Sequence, residues 1–266
     1  MIARGLVLAT VIAACGPGAA RRVDEPAAAA CDPAPSGERA TPLRGPIAPP
    51  DPRAAETLTR KGYALDAAGI ERALAAGHDP TALLAALTAV SMQRCRALLP
   101  QVEALLGAPP PTAVEAAATL AELGAPPGRA RALDVLRGAL RDPAWPEVQV
   151  TAAAYLGRAA DPAAVPAFRS ALRSATEAIR LQAVISISAL AGFDGHSFEG
   201  REFTRLAELD AVLADSASSP LVRREAVYQV ARLPASAART ALLVRVAEHD
   251  QDELVRRAAS LRLGGP

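Results

Sequence analysis

The residues best suited to chemistry are three histidines, three cysteines and a scatter of carboxylates, and their spacing limits what they can do. Asp194, His196, Glu199 and Glu202 crowd one glycine-flanked stretch, an oxygen-and-imidazole set of the kind that several divalent cations accept. No second His or Cys lies nearby, so neither a metal site nor a catalytic role is expected there. His78 precedes a helix-capping Asp79, and His249 falls near a helix end; each reads as a solvated turn residue. The chain has no Gly-x-Ser-x-Gly elbow, no glycine-rich phosphate loop and no His-Glu-x-x-His pair. No catalytic residue, metal or cofactor is therefore expected. Of the cysteines, Cys15 directly follows an apolar run, whereas Cys31 and Cys95 stand apart. In an oxidising compartment the latter two could pair, but Cys31 lies in a flexible linker that gives no geometric reason for contact. The expectation is no disulfide, with Cys95 a small core residue.

Composition narrows the classes further. The chain has 266 residues, 29 basic against 28 acidic side chains and a formal charge of +1. That balance lacks the basic excess expected for binding nucleic acid, and none is expected. Hydrophobic residues make up 51% and aromatics 3%, too apolar for a chain disordered throughout. Asn is absent, which removes N-glycosylation acceptors and Asn-Gly turns. Lys61 is the sole lysine, and the arginines are scattered. An Ala/Leu/Arg-rich chain of this kind leans towards helix.

The first segment is an address. One positive residue, Arg4, precedes the apolar run Leu6 to Ala14, too short to span a membrane and suited to the core of a signal peptide over residues 1–14. The run ends in Ile12-Ala13-Ala14-Cys15, which resembles the lipobox of bacterial lipoproteins. The resemblance implies that Cys15 becomes the lipidated N-terminus of the mature chain, and Gly16 after it favours the outer membrane. The alternative is a plain signal peptide cleaved after Ala20. Residues 15–51 are rich in Pro and Ala, with few large apolar side chains to offset the entropy of ordering. They read as a disordered, semi-rigid tether that would hold a folded domain, residues 52–266, off a membrane.

Within that domain one pattern recurs. An aliphatic residue, usually followed by Arg, precedes a small residue four positions on and an aliphatic one eight positions on. The four copies are Val148/Ala152/Leu156, Ile179/Ala183/Ile187, Val222/Ala226/Val230 and Val255/Ala259/Leu263, with anchors 31, 43 and 33 residues apart. Weaker copies start at Ala82 and Val114. Such positions share one helix face, and Ala in the middle permits close approach of a neighbour. Between the copies large aliphatics recur at i, i+3 and i+7, as in Leu99/Val102/Leu106, Leu133/Leu136/Leu140, Val165/Phe168/Leu172 and Leu206/Leu209/Leu213. Asp79-Pro80, Ser219-Pro220 and Asp252-Glu253 supply helix starts. Near Asp161 to Pro166 two prolines predict a turn, with helix from about Pro166. Residues 52 to about 77, with Ile70 and Leu74, are expected to cap the stack.

Val222-Arg223-Arg224-Glu225-Ala226, Ile179-Arg180 and the stretch Asp161 to Phe168 resemble HEAT repeats, particularly the short kind named after phycobilisome lyases. The resemblance runs from about Asp79 to the C-terminus. It implies an all-α solenoid of about five antiparallel helix pairs plus a terminal helix, with a concave side that binds protein. The first two repeats depart from the pattern by lacking the Arg, and the fourth interval is long. The extra residues of that interval, Gly192 to Phe203, hold Phe193, Phe198 and Phe203, three of the four Phe. With His196 they form a candidate binding loop; equally, the rings could fold back and seal the edge of the stack. The resulting expectation is a monomeric, non-catalytic lipoprotein of the periplasmic envelope that binds an unidentified protein. The alternatives are an enzyme-like HEAT protein, a chromophore lyase or DNA glycosylase, and a purely structural spacer.

Overall fold

The computed structural model describes residues 52–75 and 79–264. The segments read as a signal peptide (1–14) and a tether (15–51, with Cys15 and Cys31) in the sequence, and His78, lie outside the described residues. The helices are α1 (Pro52–Arg60), α2 (Ala67–Ala75), α3 (Pro80–Gln93), α4 (Leu99–Ala104), α5 (Thr112–Leu123), α6 (Pro126–Arg141), α7 (Pro146–Arg158), α8 (Val165–Ala171), α9 (Glu177–Ser188), α10 (Arg205–Ala214), α11 (Pro220–Arg232), α12 (Ala237–His249) and α13 (Glu253–Leu263). Two short strands, β1 (His196–Phe198) and β2 (Arg201–Phe203), interrupt this series between α9 and α10. Among the described residues no helix is long and apolar enough to cross a membrane.

The predicted helix starts form as written. Asp79 accepts from the amides of Thr81 and Ala82, Ser219 from Val222, and Asp252 from Leu254 and Val255. Each occupies donors that the first turn cannot satisfy internally. At Asp161 the side chain accepts from Ala163, a single 3₁₀ turn follows over Pro162–Ala164, and the helix begins at Val165. The continuous helix expected over Leu99 to Leu106 is instead a short α4 with 3₁₀ turns at Arg96–Leu98 and Leu105–Gly107. Pro100 explains the upstream break, because it has no amide with which to continue the ladder from residue 96.

Helices α3, α5, α7, α9, α11 and α13 pack on one another in sequence, forming one continuous layer. Their anchors Val148, Ile179, Val222 and Val255 are buried, as are all four middle alanines, Ala152, Ala183, Ala226 and Ala259. Outside α6 the pairing is shifted by one helix from the sequence reading. Helices α4, α8, α10 and α12 each lie chiefly against the helix that follows, giving the pairs α4/α5, α8/α9, α10/α11 and α12/α13, whereas α6 packs on both α5 and α7, more extensively on α5. Helix α13 is therefore the second member of the last pair, and α1 to α3 cap the other end, burying Leu58, Ile70 and Leu74.

This phasing explains the Arg that follows each anchor. Arg180 donates to the carbonyls of Ser174 and Ala175, Arg256 to that of Asp250, and Arg223 to that of Ser218. Each guanidinium thus clamps the turn inside its own pair. Gln149 does the same for Leu140 at 2.9 Å. Arg223 also donates through Nε and Nη2 to Asp250 at 3.0 and 3.2 Å, locking pair α10/α11 to pair α12/α13. Where α7 meets α9 the backbones come so close that a Cβ at Gly157 would lie 2.7 Å from the Cβ of Ser186. The Ser186 hydroxyl uses that proximity to donate to the Ala153 carbonyl at 2.8 Å.

Candidate functional site

Gly192 to Phe203 lie between pairs α8/α9 and α10/α11 and fold into a β-hairpin, where the sequence predicts only a glycine-rich loop. His196 pairs with Phe203, Ser197 with Glu202 and Phe198 with Arg201. The chain reverses at Glu199 and Gly200, both with positive φ (52° and 74°), the geometry of a two-residue hairpin turn matched to strand twist. Phe203 is fully buried and meets Phe198 edge-on at 5.9 Å; Phe193 and Phe198 are half-buried against the core. His196 is exposed, stacks edge-on with Phe193 at 5.8 Å, and its Nδ1 lies 3.1 Å from the Phe193 carbonyl oxygen.

The hairpin is held by charged groups that the sequence reading did not single out. Arg169, buried on α8, donates to the carbonyls of Phe198 and Glu202 at 3.2 and 3.1 Å, and to Glu208 Oε1 at 2.9 and 2.7 Å. Arg201 reaches the same buried carboxylate at 3.2 Å. Arg205 takes Asp194 by its backbone amide at 2.7 Å and by its side chain at 2.9 and 2.6 Å. Asp194 is thereby committed to an arginine. Among the described residues no group of three His, Cys, Asp or Glu is placed to hold a metal ion. A charged residue at a core position reads in sequence like one on a solvated face, and only the fold reveals which it is.

Cys95 is completely buried, as expected of a small core residue, and it is disulfide-bonded, which corrects the expectation of no disulfide. His249 ends α12 in the open, with Glu248 at 3.6 Å.

The stacked layer offers a second surface, absent from the sequence reading. At its N-terminal end Glu115 on α5 borders a recess of about 280 Å³ that also meets Arg53, Thr57 and Thr88. Burial holds the Glu115 carboxyl above its usual range. Beside it the Tyr155 hydroxyl is pushed up to about 12, first by burial and then by the charge of Glu115. Glu122 accepts from Ser91 at 3.0 Å, and Arg158 lies 5.2 Å over the Tyr155 ring. At the C-terminal end Ile185, Leu221, Leu254 and Leu261 are exposed on α9, α11 and α13 beside exposed Arg257 and half-buried Arg224 and Tyr228, with Glu177 and Glu253 exposed in the first turns of α9 and α13. On α13 Arg256 clamps a turn, Arg262 sits 4.9 Å over the Tyr228 ring, and the exposed Leu254 and Leu261 share the surface.

Comparison with known proteins agrees with this architecture at the level of the repeat. No curated protein matches the chain. Among solved structures it is similar to human deoxyhypusine hydroxylase in complex with glycerol, at 21% identity over 80% of each chain with a TM-score of 0.40. The family model of HEAT repeats matches residues 98–188, a stretch that opens at α4 and closes with α9. The matched stretch, α4 to α9, is made of HEAT repeats, and α10 to α13 continue the same all-α stack.

Proposed function

We propose that this protein is a lipid-anchored, non-catalytic scaffold of the bacterial cell envelope that binds another protein. The observation that carries the binding role is the layer α3 to α13, whose successive helices present equivalent positions to solvent in register. A surface built this way grows by repetition and suits an extended macromolecular partner better than a small molecule. The anchor rests on Ile12-Ala13-Ala14-Cys15 and the Pro/Ala-rich stretch after it. The disulfide at Cys95 supports an oxidising compartment, which an exported chain would reach.

Two measurements test this reading. Metabolic labelling with a fatty acid should mark the wild-type chain and leave Cys15→Ala unmarked; equal labelling of both would end the anchoring proposal. Crosslinking in intact cells should then join the folded domain to a distinct protein. A chain that crosslinks to nothing would be a spacer.

A further inference from the structure

We propose that the exposed face of α9, α11 and α13 is a docking surface for an acidic amphipathic helix of a partner protein, a specific form of the scaffold reading on which it rests. Counting from the buried anchors Ile179, Val222 and Val255 gives three rows that cross the stack. Leu221 and Leu254 stand one residue before their anchors, Arg224 and Arg257 two after, and Ile185, Tyr228 and Leu261 six after. The outer rows are open to solvent despite being apolar: Ile185 is 37% exposed, Leu221 48%, Leu254 55% and Leu261 66%. Packed helices lie about 8–10 Å apart, so neighbouring members of a row are within reach of one facing helix. Single exposed leucines need no explanation, but rows repeated in register over adjacent helices form a contiguous patch.

Charge selects the occupant. Arg224 and Arg257 form the middle row and have no hydrogen-bonded or ionic partner among the described residues; the same holds for Arg232. A recess of about 310 Å³ opens beside Ile185, walled by Gln229, Leu233 and Arg232, where an apolar anchor could enter with a carboxylate above it. The nearest acid on α11, Glu225, is already engaged by the Gln229 amide at 2.6 Å. Arg262 braces the Tyr228 ring from the side of α13. Arginine forks engage carboxylates with two parallel bonds, and flanking apolar rows exclude water from such pairs. A helix with a leucine face edged by Glu or Asp complements all three rows. The other end of the layer carries Glu115 and Glu122 and would repel it.

The test uses the full chain carrying Cys15→Ala, which keeps it free of lipid, and two fluorescent synthetic helices with the same leucine face. One is edged with Glu and the other with Lys. The Glu helix should bind at least about tenfold more tightly than the Lys helix, and rising salt should weaken it. Arg224→Glu with Arg257→Glu should cost at least about tenfold in affinity while the thermal midpoint and circular dichroism stay unchanged, since neither side chain makes a hydrogen bond or ion pair among the described residues. Leu221→Ser with Leu254→Ser should also weaken binding. Equal affinity for the two helices, or an unaltered affinity in the charge-reversed variant, overturns the proposal. So does capture by phosphatidylglycerol vesicles with no helix binding, which would make this a lipid-facing surface. A dimer in sedimentation that the charge reversal dissolves would make it a self-interface and equally overturn the proposal. Should the Glu helix fail while crosslinking finds a partner through other residues, this surface falls and the scaffold reading stands.

Discussion

A buried guanidinium is tolerated only when its donors are engaged, and this protein meets that condition with backbone carbonyls as much as with carboxylates. Arg223 divides its donors between Asp250 and the Ser218 carbonyl; Arg169 divides its own between Glu208 and two strand carbonyls. Removing one partner of such a buried pair typically costs about 3–5 kcal/mol. Glu115 is the opposite case. No hydrogen bond or ion pair reaches its carboxylate among the described residues, and burial raises its pKa. A raised carboxyl favours the folded state most when protonated, so its contribution is full below the ordinary carboxylate range and is lost as pH rises through the folded value. Glu115→Gln should therefore raise the urea midpoint at neutral pH, with the gain shrinking towards about pH 4. The Tyr155 hydroxyl, freed of the neighbouring charge, should titrate below its wild-type value in an ultraviolet titration. An equal gain at both pH values would mean that the carboxylate charge is not the cause.

At the scale of the element, the hairpin shows how an insertion can be rigid without being part of the repeat. Two strands of three residues do not hold together alone in water. Here they are fastened by Phe203 in the core and by Arg169 beneath the strand carbonyls. Phe203→Ser should cost about 3 kcal/mol or more, because a fully buried ring is replaced by a small polar group. Phe193→Ser should cost about 1 kcal/mol, since that ring is only half-buried. Urea denaturation of the two variants separates these roles. If both mutants unfold at the wild-type midpoint, the rings do not seal the stack and the hairpin is free to act as a binding knob.

For the whole molecule, stability should be close to a sum over neighbouring pairs. The core comprises two apolar clusters that meet on α9, where Ile179, Ala183 and Ile187 belong to one and Val184 to the other. Helix α13 contributes Val255, Ala258 and Ala259 to the last of these contacts. Deleting residues 253–266 should therefore remove one interface and leave the remaining helices folded, with a lower melting temperature and a smaller urea m-value. Loss of all helical circular dichroism would show that the stack folds as an indivisible unit instead.

The repeat, the helix starts and the buried positions were legible from residue order, because 3.6-residue periodicity and capping side chains act within one turn of chain. Val222-Arg223 and Ile179-Arg180 marked a recurring unit before any contact was known. The phase of that unit was not legible: α10 is as near in sequence to α9 as to α11, and only packing decides which it joins. The same holds for the fate of charges. Arg169, Arg205 and Glu208 look like surface residues until the hairpin folds over them, while Leu254 and Leu261 look like core residues until no helix among the described residues is seen to cover them. Local order determines which segments become helices and which face is apolar; burial is a relation between segments, so the tertiary structure alone decides which of those faces stays open to a partner.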